Sequence, residues 1–309
     1  MIGHGIHAID TAFHRDHFDA AYLIVENGRA AFIDCGTNHS VPHLMAALAG
    51  VGLTAADVDW LLVTHVHLDH AGGAGALMAR LPNARLVVHP RGAPHMIDPS
   101  MLIAGATAVY GEAEMARSYG QIIGVPEARV VVAEDGYVVD FQGRPLLCID
   151  TPGHARHHFC VWDARSQGWF TGDTFGLSYR ELDSSNGPFV LPTTSPVQFE
   201  PEALKASITR LLSYRPQSMY LTHYGRVGDV ERLGRDLHEQ IDAMVVIGKA
   251  CDGQPDRHER MRDALTGLYL ERAHAHGCPF DDAGILQILG VDIELNAQGM
   301  ASWLDRDKR

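Results

Sequence analysis

From the start of the chain to about residue 230, short apolar runs alternate with helix-periodic segments and Gly/Pro punctuation. AAYLIVENGRAAFIDCG (20–36) reads as two strands joined at Asn27-Gly28, a dipeptide that tolerates the positive φ of a tight hairpin turn. VPHLMAALAGVGL (41–53) places Leu44, Leu48 and Val51 at helical spacing, and Gly50 and Gly52 suit a helix end. WLLVTH (60–65), ARLVVHP (84–90), RVVVAEDG (129–136) and PLLCIDTPGH (145–154) read as short strands. So do FCVWD (159–163), GWFTGD (168–173) and SMYLTH (218–223). Interleaved strands and helices predict the α/β class.

Two stretches depart from that alternation. Residues 91–125 read as a mostly helical insertion, with Ile97, Met101, Tyr110, Met115 and Tyr119 among its apolar members. Beyond about Asp229 the strand patterns stop. VERLGRDLHEQIDAMVVIGKA and HERMRDALTGLYLERAHAH read as helices, with a loop at Gly253-Gln254-Pro255 between them and a short acidic tail after them. The division predicted is an α/β body over 1–230 and a helical extension over 231–309, packed on it and suited to pairing two chains into a homodimer.

Composition narrows the function. Of 309 residues, 46% are hydrophobic and 20% charged, enough to fill a sizeable core. A net charge of −13 argues against nucleic-acid binding, which needs clustered Lys and Arg. No apolar run is long enough for a membrane span, and MIGHGIHAIDTAF lacks the basic flank and apolar region of a signal peptide. The five cysteines (Cys35, Cys148, Cys160, Cys251, Cys278) are widely spaced and form no CxxC pair, which suits reduced thiols in the cytoplasm. Nineteen histidines are the unusual figure, and they ask for a metal.

The strongest motif is Thr64-His65-Val66-His67-Leu68-Asp69-His70-Ala71-Gly72-Gly73, directly after the apolar run Trp60–Val63. His65 and His67 are two apart, so an extended backbone turns both to one face, and Asp69 and His70 follow in the turn. Three later strands end the same way, in Thr151-Pro152-Gly153-His154, Thr171-Gly172-Asp173 and Thr222-His223. Carboxyl ends of strands line the ligand crevice of open α/β sheets. The pattern therefore predicts a cluster of His65, His67, Asp69, His70, His154, Asp173 and His223. Five imidazoles and two carboxylates, with no thiolate nearby, suit Zn²⁺, Fe or Mn²⁺ rather than a structural cysteine-zinc site.

These motifs, with Ile33-Asp34-Cys35-Gly36 in an early strand, resemble the metallo-β-lactamase-fold superfamily, in particular its glyoxalase II-like and lactonase-like branches; the likeness covers about 20 to 225. It implies a four-layer αβ/βα sandwich with two metal ions in a cleft, zinc foremost and iron or manganese as alternatives. It assigns His65, His67 and His154 to one metal, Asp69, His70 and His223 to the other, and Asp173 as the bridge. Asp34 and His158 resemble residues that support the ligands from behind.

The implied chemistry is hydrolysis. A water bridging two metals is deprotonated near neutral pH and attacks the substrate, while Asp69 orients it and passes its proton to the leaving group. A small ester, lactone or thioester is the expected substrate. The alternatives are a small phosphodiester, or a non-hydrolytic diiron protein that binds oxygen or redox-active ligands. Histidine at position 67, where diiron relatives carry glutamate, argues against the latter. A pure binding protein has little use for all seven ligands. Lactonase-like relatives often carry a tyrosine three residues after the bridging aspartate, where this chain has Gly176. Tyr179, Arg180, Tyr224 and Tyr110 are the candidate substrate contacts.

Overall fold

The structure, a computed structural model, describes residues 2–194 and 198–307, without the side chains of residues 109, 110 and 307. The chain falls into two compact units that interleave along the sequence. Met1–Asp150, His157–Gly172 and Ser218–Arg226 form the first; Thr151–Arg156, Asp173–Gln217 and Val227–Arg309 form the second.

The first unit holds two six-stranded sheets. One contains β1 (Ile6–Asp10), β2 (Ala20–Glu26), β3 (Arg29–Ile33), β4 (Val58–Leu62), β5 (Arg85–Val88) and β6 (Val130–Val132), ordered as in the chain. Its first three strands pair antiparallel, and β3 to β6 pair parallel. The other contains β7 (Val138–Phe141), β8 (Arg144–Asp150), β9 (Phe159–Asp163), β10 (Gly168–Gly172), β11 (Ser218–Leu221) and β12 (Gly225–Val227), with β12 and β7 at its edges.

The strands read as unbroken apolar runs because both faces of the first sheet are buried. Tyr22, Ile24, Ala31, Ile33, Leu62 and Val87 point into a core shared with Phe141, Leu146, Phe159, Val161, Phe170 and Tyr220 of the second sheet. Their neighbours Leu23, Phe32, Leu61, Leu86 and Val88 point the other way, into a core with helical residues such as Leu44, Leu48, Leu77 and Met78. Those helices are α1 (Val41–Gly50), α2 (Leu68–Ala71) and α3 (Ala74–Arg80). The insertion is helical, as its pattern predicts: α4 (Ala93–Ile97), α5 (Ser100–Tyr110), α6 (Glu112–Glu114) and a π-turn over Met115–Tyr119.

The second unit contains α7 (Pro201–Ser213), α8 (Val230–Cys251), α9 (Arg257–His276) and α10 (Asp282–Asp307). The expected acidic tail is instead the longest helix, 26 residues. Asp282 and Asp305 near its ends are exposed, while Ile285, Leu289, Ile293, Ala297, Met300 and Leu304 recur at helical spacing and are buried. A polar set inside the unit fixes α10. Asn296, fully buried, accepts from the Thr194 amide (2.8 Å) and donates to Pro192 O (3.0 Å) and the Tyr269 hydroxyl (2.9 Å). No helix of the described residues is long and apolar enough to cross a membrane.

Candidate metal centre

The first unit carries five of the seven predicted ligands. β4 ends at Leu62, and the chain runs extended to His67 (φ −63°, ψ 149°), which caps α2. Asp69 and His70 therefore sit in the single turn of that helix. His65 Nε2 and His67 Nδ1 lie 2.8 Å apart. One atom each from Asp69, His70 and His223 lies within 4.8 Å of the other two. The second unit carries the remaining pair: His154 Nε2 lies 3.2 Å from Asp173 Oδ2.

Two glycines explain how the ligand-bearing loops fit. Gly172, next to Asp173, has φ +47°, and a Cβ there would stand 2.6 Å from both His158 Nε2 and Thr64 Oγ1. Gly153, next to His154, has φ +130°, and a Cβ would meet the Leu204 backbone nitrogen at 2.3 Å. Only glycine avoids both the conformation penalty and the clash.

Hydrogen bonds set the tautomers of the ligand rings. Asp34, almost fully buried at the end of β3, accepts from the Thr64 amide (2.7 Å), the Thr64 hydroxyl (2.9 Å), the Thr222 hydroxyl (3.1 Å) and His70 Nδ1 (3.0 Å). The proton of Thr64 points to Asp34, so its oxygen accepts from His65 Nδ1 at 3.2 Å. His154 Nδ1 donates to Thr193 O at 3.2 Å. His223 Nδ1 lies 3.3 Å from Phe18 O and 2.6 Å from Asp19 Oδ1. In each of these four rings Nδ1 faces an oxygen acceptor, so the neutral ring carries its lone pair on Nε2.

That assignment tests whether a cation fits. Nε2 of His70 and Nε2 of His223 each lie 3.6 Å from Asp69 Oδ2. Three electron-rich atoms converging in this way repel one another unless a positive charge sits among them. The chemistry of the donor set fits a divalent metal, and the same holds for His154 Nε2 facing Asp173.

Behind the ligands stand groups that sequence reasoning placed less well. His158, a predicted supporting residue, is fully buried with its ring 4.7 Å from that of His65. His157 also lies beside the candidate ligands: its ring is 5.4 Å from that of His67, edge to face. Asp19 was missed altogether. Burial pushes its carboxyl up to about 6, against the pull of the His223 imidazole. A lone acid before an apolar strand carries no pattern that would single it out.

An apolar cluster adjoins the motif. Leu68, between His67 and Asp69, packs with Phe13, Met115 and Tyr119, and Phe18, Leu102 and Ala106 pack against them. Phe18 also meets the His223 ring edge-on at 5.5 Å.

The predicted substrate contacts lie in different surroundings. Tyr179 is fully buried and donates its hydroxyl to Asp292 (3.3 Å). Arg180 folds back on Ser178 O (2.6 Å) and lies 3.5 Å from Asp183. Tyr224 is half-buried, its ring 4.9 Å from that of His17. The side chain of Tyr110 lies outside the described residues.

The sequence model of the metallo-beta-lactamase superfamily matches residues 15–223. The chain belongs to that superfamily. It is 29% identical over 214 residues to the metallo-beta-lactamase fold-containing protein ST1585 of Sulfurisphaera tokodaii, a match covering 65% of this chain and 77% of that one. The solved structure of ST1585 superposes with a TM-score of 0.66 at 23% identity, covering 96% of this chain and 98% of the other. A hydroxyacylglutathione hydrolase of Acidiphilium cryptum is 25% identical over 82% of this chain and 85% of its own length. An atrochrysone carboxyl ACP thioesterase of Aspergillus fumigatus is 27% identical over half of this chain, which spans only 38% of the thioesterase. The α/β sandwich expected from the superfamily resemblance, with the helical C-terminal segment expected from the sequence pattern, is the fold found.

Proposed function

We propose that this protein is a dinuclear metal-dependent hydrolase acting on a small ester, lactone or thioester. The observation that carries this reading is the convergence of His70 Nε2, His223 Nε2 and Asp69 Oδ2, each imidazole turned lone pair inward. In the proposed centre His65, His67 and His154 would hold one ion and Asp69, His70 and His223 the other, with Asp173 as the shared carboxylate. Ions so held lower the pKa of bound water towards neutrality and polarise a carbonyl oxygen. Asp69, about one-quarter exposed, accepts the proton of the attacking water and returns it to the leaving group. Thr64 and Asp34 keep His65 and His70 in their tautomers throughout.

Two relatives are named for hydrolysing a hydroxyacylglutathione and an ACP thioester, which supports an acyl substrate. Phe18, Leu68 and Leu102 offer an apolar wall that suits the acyl part. The partner is thus a small molecule, and the C-terminal helices are the candidate homodimer surface.

The test is a hydrolysis panel of lactones, esters, thioesters and phosphodiesters, run on protein reconstituted separately with zinc, iron and manganese. A preference for one acyl class, absent in Asp173→Ala, is expected. A preference for phosphodiesters, or iron with a visible absorption band and no hydrolysis, overturns the substrate assignment.

A further inference from the structure

His70 and His223 occupy matching places in the Asp69 group, and each turns Nδ1 to a buried carboxylate. For His70 that carboxylate is Asp34, which four donor contacts hold in place. For His223 it is Asp19, which has no solvent exposure and places Oδ1 2.6 Å from Nδ1. The Asp19 backbone is pinned on both sides: its carbonyl accepts from the Thr11 amide (3.0 Å), and the next amide, of Ala20, donates to Thr222 O (2.7 Å). Asp19 is thereby locked to the strand end that carries His223.

We infer that Asp19 is the positioning residue of His223, accepting its Nδ1 proton so that Nε2 is presented to the cation. Phe18 O, which cannot donate, lies 3.3 Å from the same nitrogen and accepts its hydrogen bond, and the Asp19 charge 2.6 Å away favours that same proton position. A carboxylate in this position fixes the ring and raises the electron density on Nε2, strengthening its hold on a metal. An ordinary surface aspartate would gain nothing from this burial, since removing a carboxylate from water costs free energy that only a strong partner offsets.

The inference rests on the reading of His223 as a metal ligand, and the experiment separates the two. Zinc affinity is measured by chelator competition for the wild type, Asp19→Ala, Asp19→Asn and His223→Ala, with thermal melting of each. The ring protons of His223 are assigned by long-range ¹H–¹⁵N correlation on the metal-free wild type. The expected result is an Nδ1-protonated His223 and a loss of about 10–100-fold in affinity for one of two ions in Asp19→Ala. In Asp19→Asn, whose amide oxygen still accepts the proton, most of that loss is recovered. An Nε2-protonated His223 in the wild type, or unchanged affinity in Asp19→Ala while His223→Ala loses an ion, overturns the inference alone. Two ions retained in His223→Ala overturns the metal reading itself. If Asp19→Ala does not fold, Asp19→Asn and the wild-type tautomer still decide.

Discussion

Three candidate ligand histidines, His70 and His223 of the sheet unit and His154 of the helical unit, all turn Nδ1 to an oxygen but are supported differently. His70 and His223 have buried carboxylates behind the ring, Asp34 and Asp19. His154 has a neutral carbonyl, Thr193 O. A carboxylate raises the basicity of the imidazole it supports more than a carbonyl does. In the proposed dinuclear centre the Asp69, His70 and His223 group is therefore expected to hold its cation more tightly than the group that includes His154.

The most severe way to break that comparison is Asp173→Ala. Hydrolysis is expected to fall to background because the proposed bridge is gone, while one ion per chain stays with the Asp69 group. Metal content by elemental analysis beside a rate assay checks this. Full activity, or loss of both ions, would show that the two sites do not differ as proposed.

Asp34→Ala comes next. It strips an acceptor from His70, Thr64 and Thr222 together, leaving buried donors unpaired at about 1–3 kcal/mol each. Metal affinity should drop roughly 10–100-fold in the same variant. A melting curve and a chelator titration measure the two effects separately. An intact affinity in a destabilised protein would mean that Asp34 is only a structural anchor.

The same contrast separates what was legible in the sequence from what was not. The candidate ligand set was legible because its segments each follow an apolar strand and end it, a pattern of period and punctuation that local chemistry imposes. Most strands of the two sheets were legible for the same reason, with β1, β7 and β12 lost because their runs are short and flanked by polar residues, while the sandwich of two sheets came from the superfamily resemblance. The supporting residues divide by distance along the chain. Asp34 ends a strand beside the motif's own strand, and the superfamily resemblance reached it. Asp19 meets its partner across some two hundred positions, through pairing of strand ends that no local pattern encodes. α10 was misread because acids stand at both of its ends, Asp282 at the first turn and Asp305 and Asp307 at the last, while its apolar stripe is spread over seven turns.

Phe18→Ala sharpens the comparison from the substrate side. It shortens the apolar wall beside His223 without touching a donor atom, so metal content should hold. Turnover of long-chain or aromatic acyl substrates should fall about tenfold in kcat/KM, with acetyl substrates little changed. A uniform loss across chain lengths would place the effect on His223 and not on the substrate.

The smallest effect is expected from Tyr179→Phe in the helical unit. The side chain is fully buried and its hydroxyl is spent on Asp292, which leaves it nothing to offer a substrate. Removing one hydrogen bond while keeping the ring should cost about 1 kcal/mol of stability, seen as a small downward shift in melting temperature. KM and metal content should not move. A raised KM at unchanged stability would return Tyr179 to the substrate site. It would also show that the helical unit supplies recognition as well as His154 and Asp173, and the division between the units would then be one of tasks rather than of ligand strength.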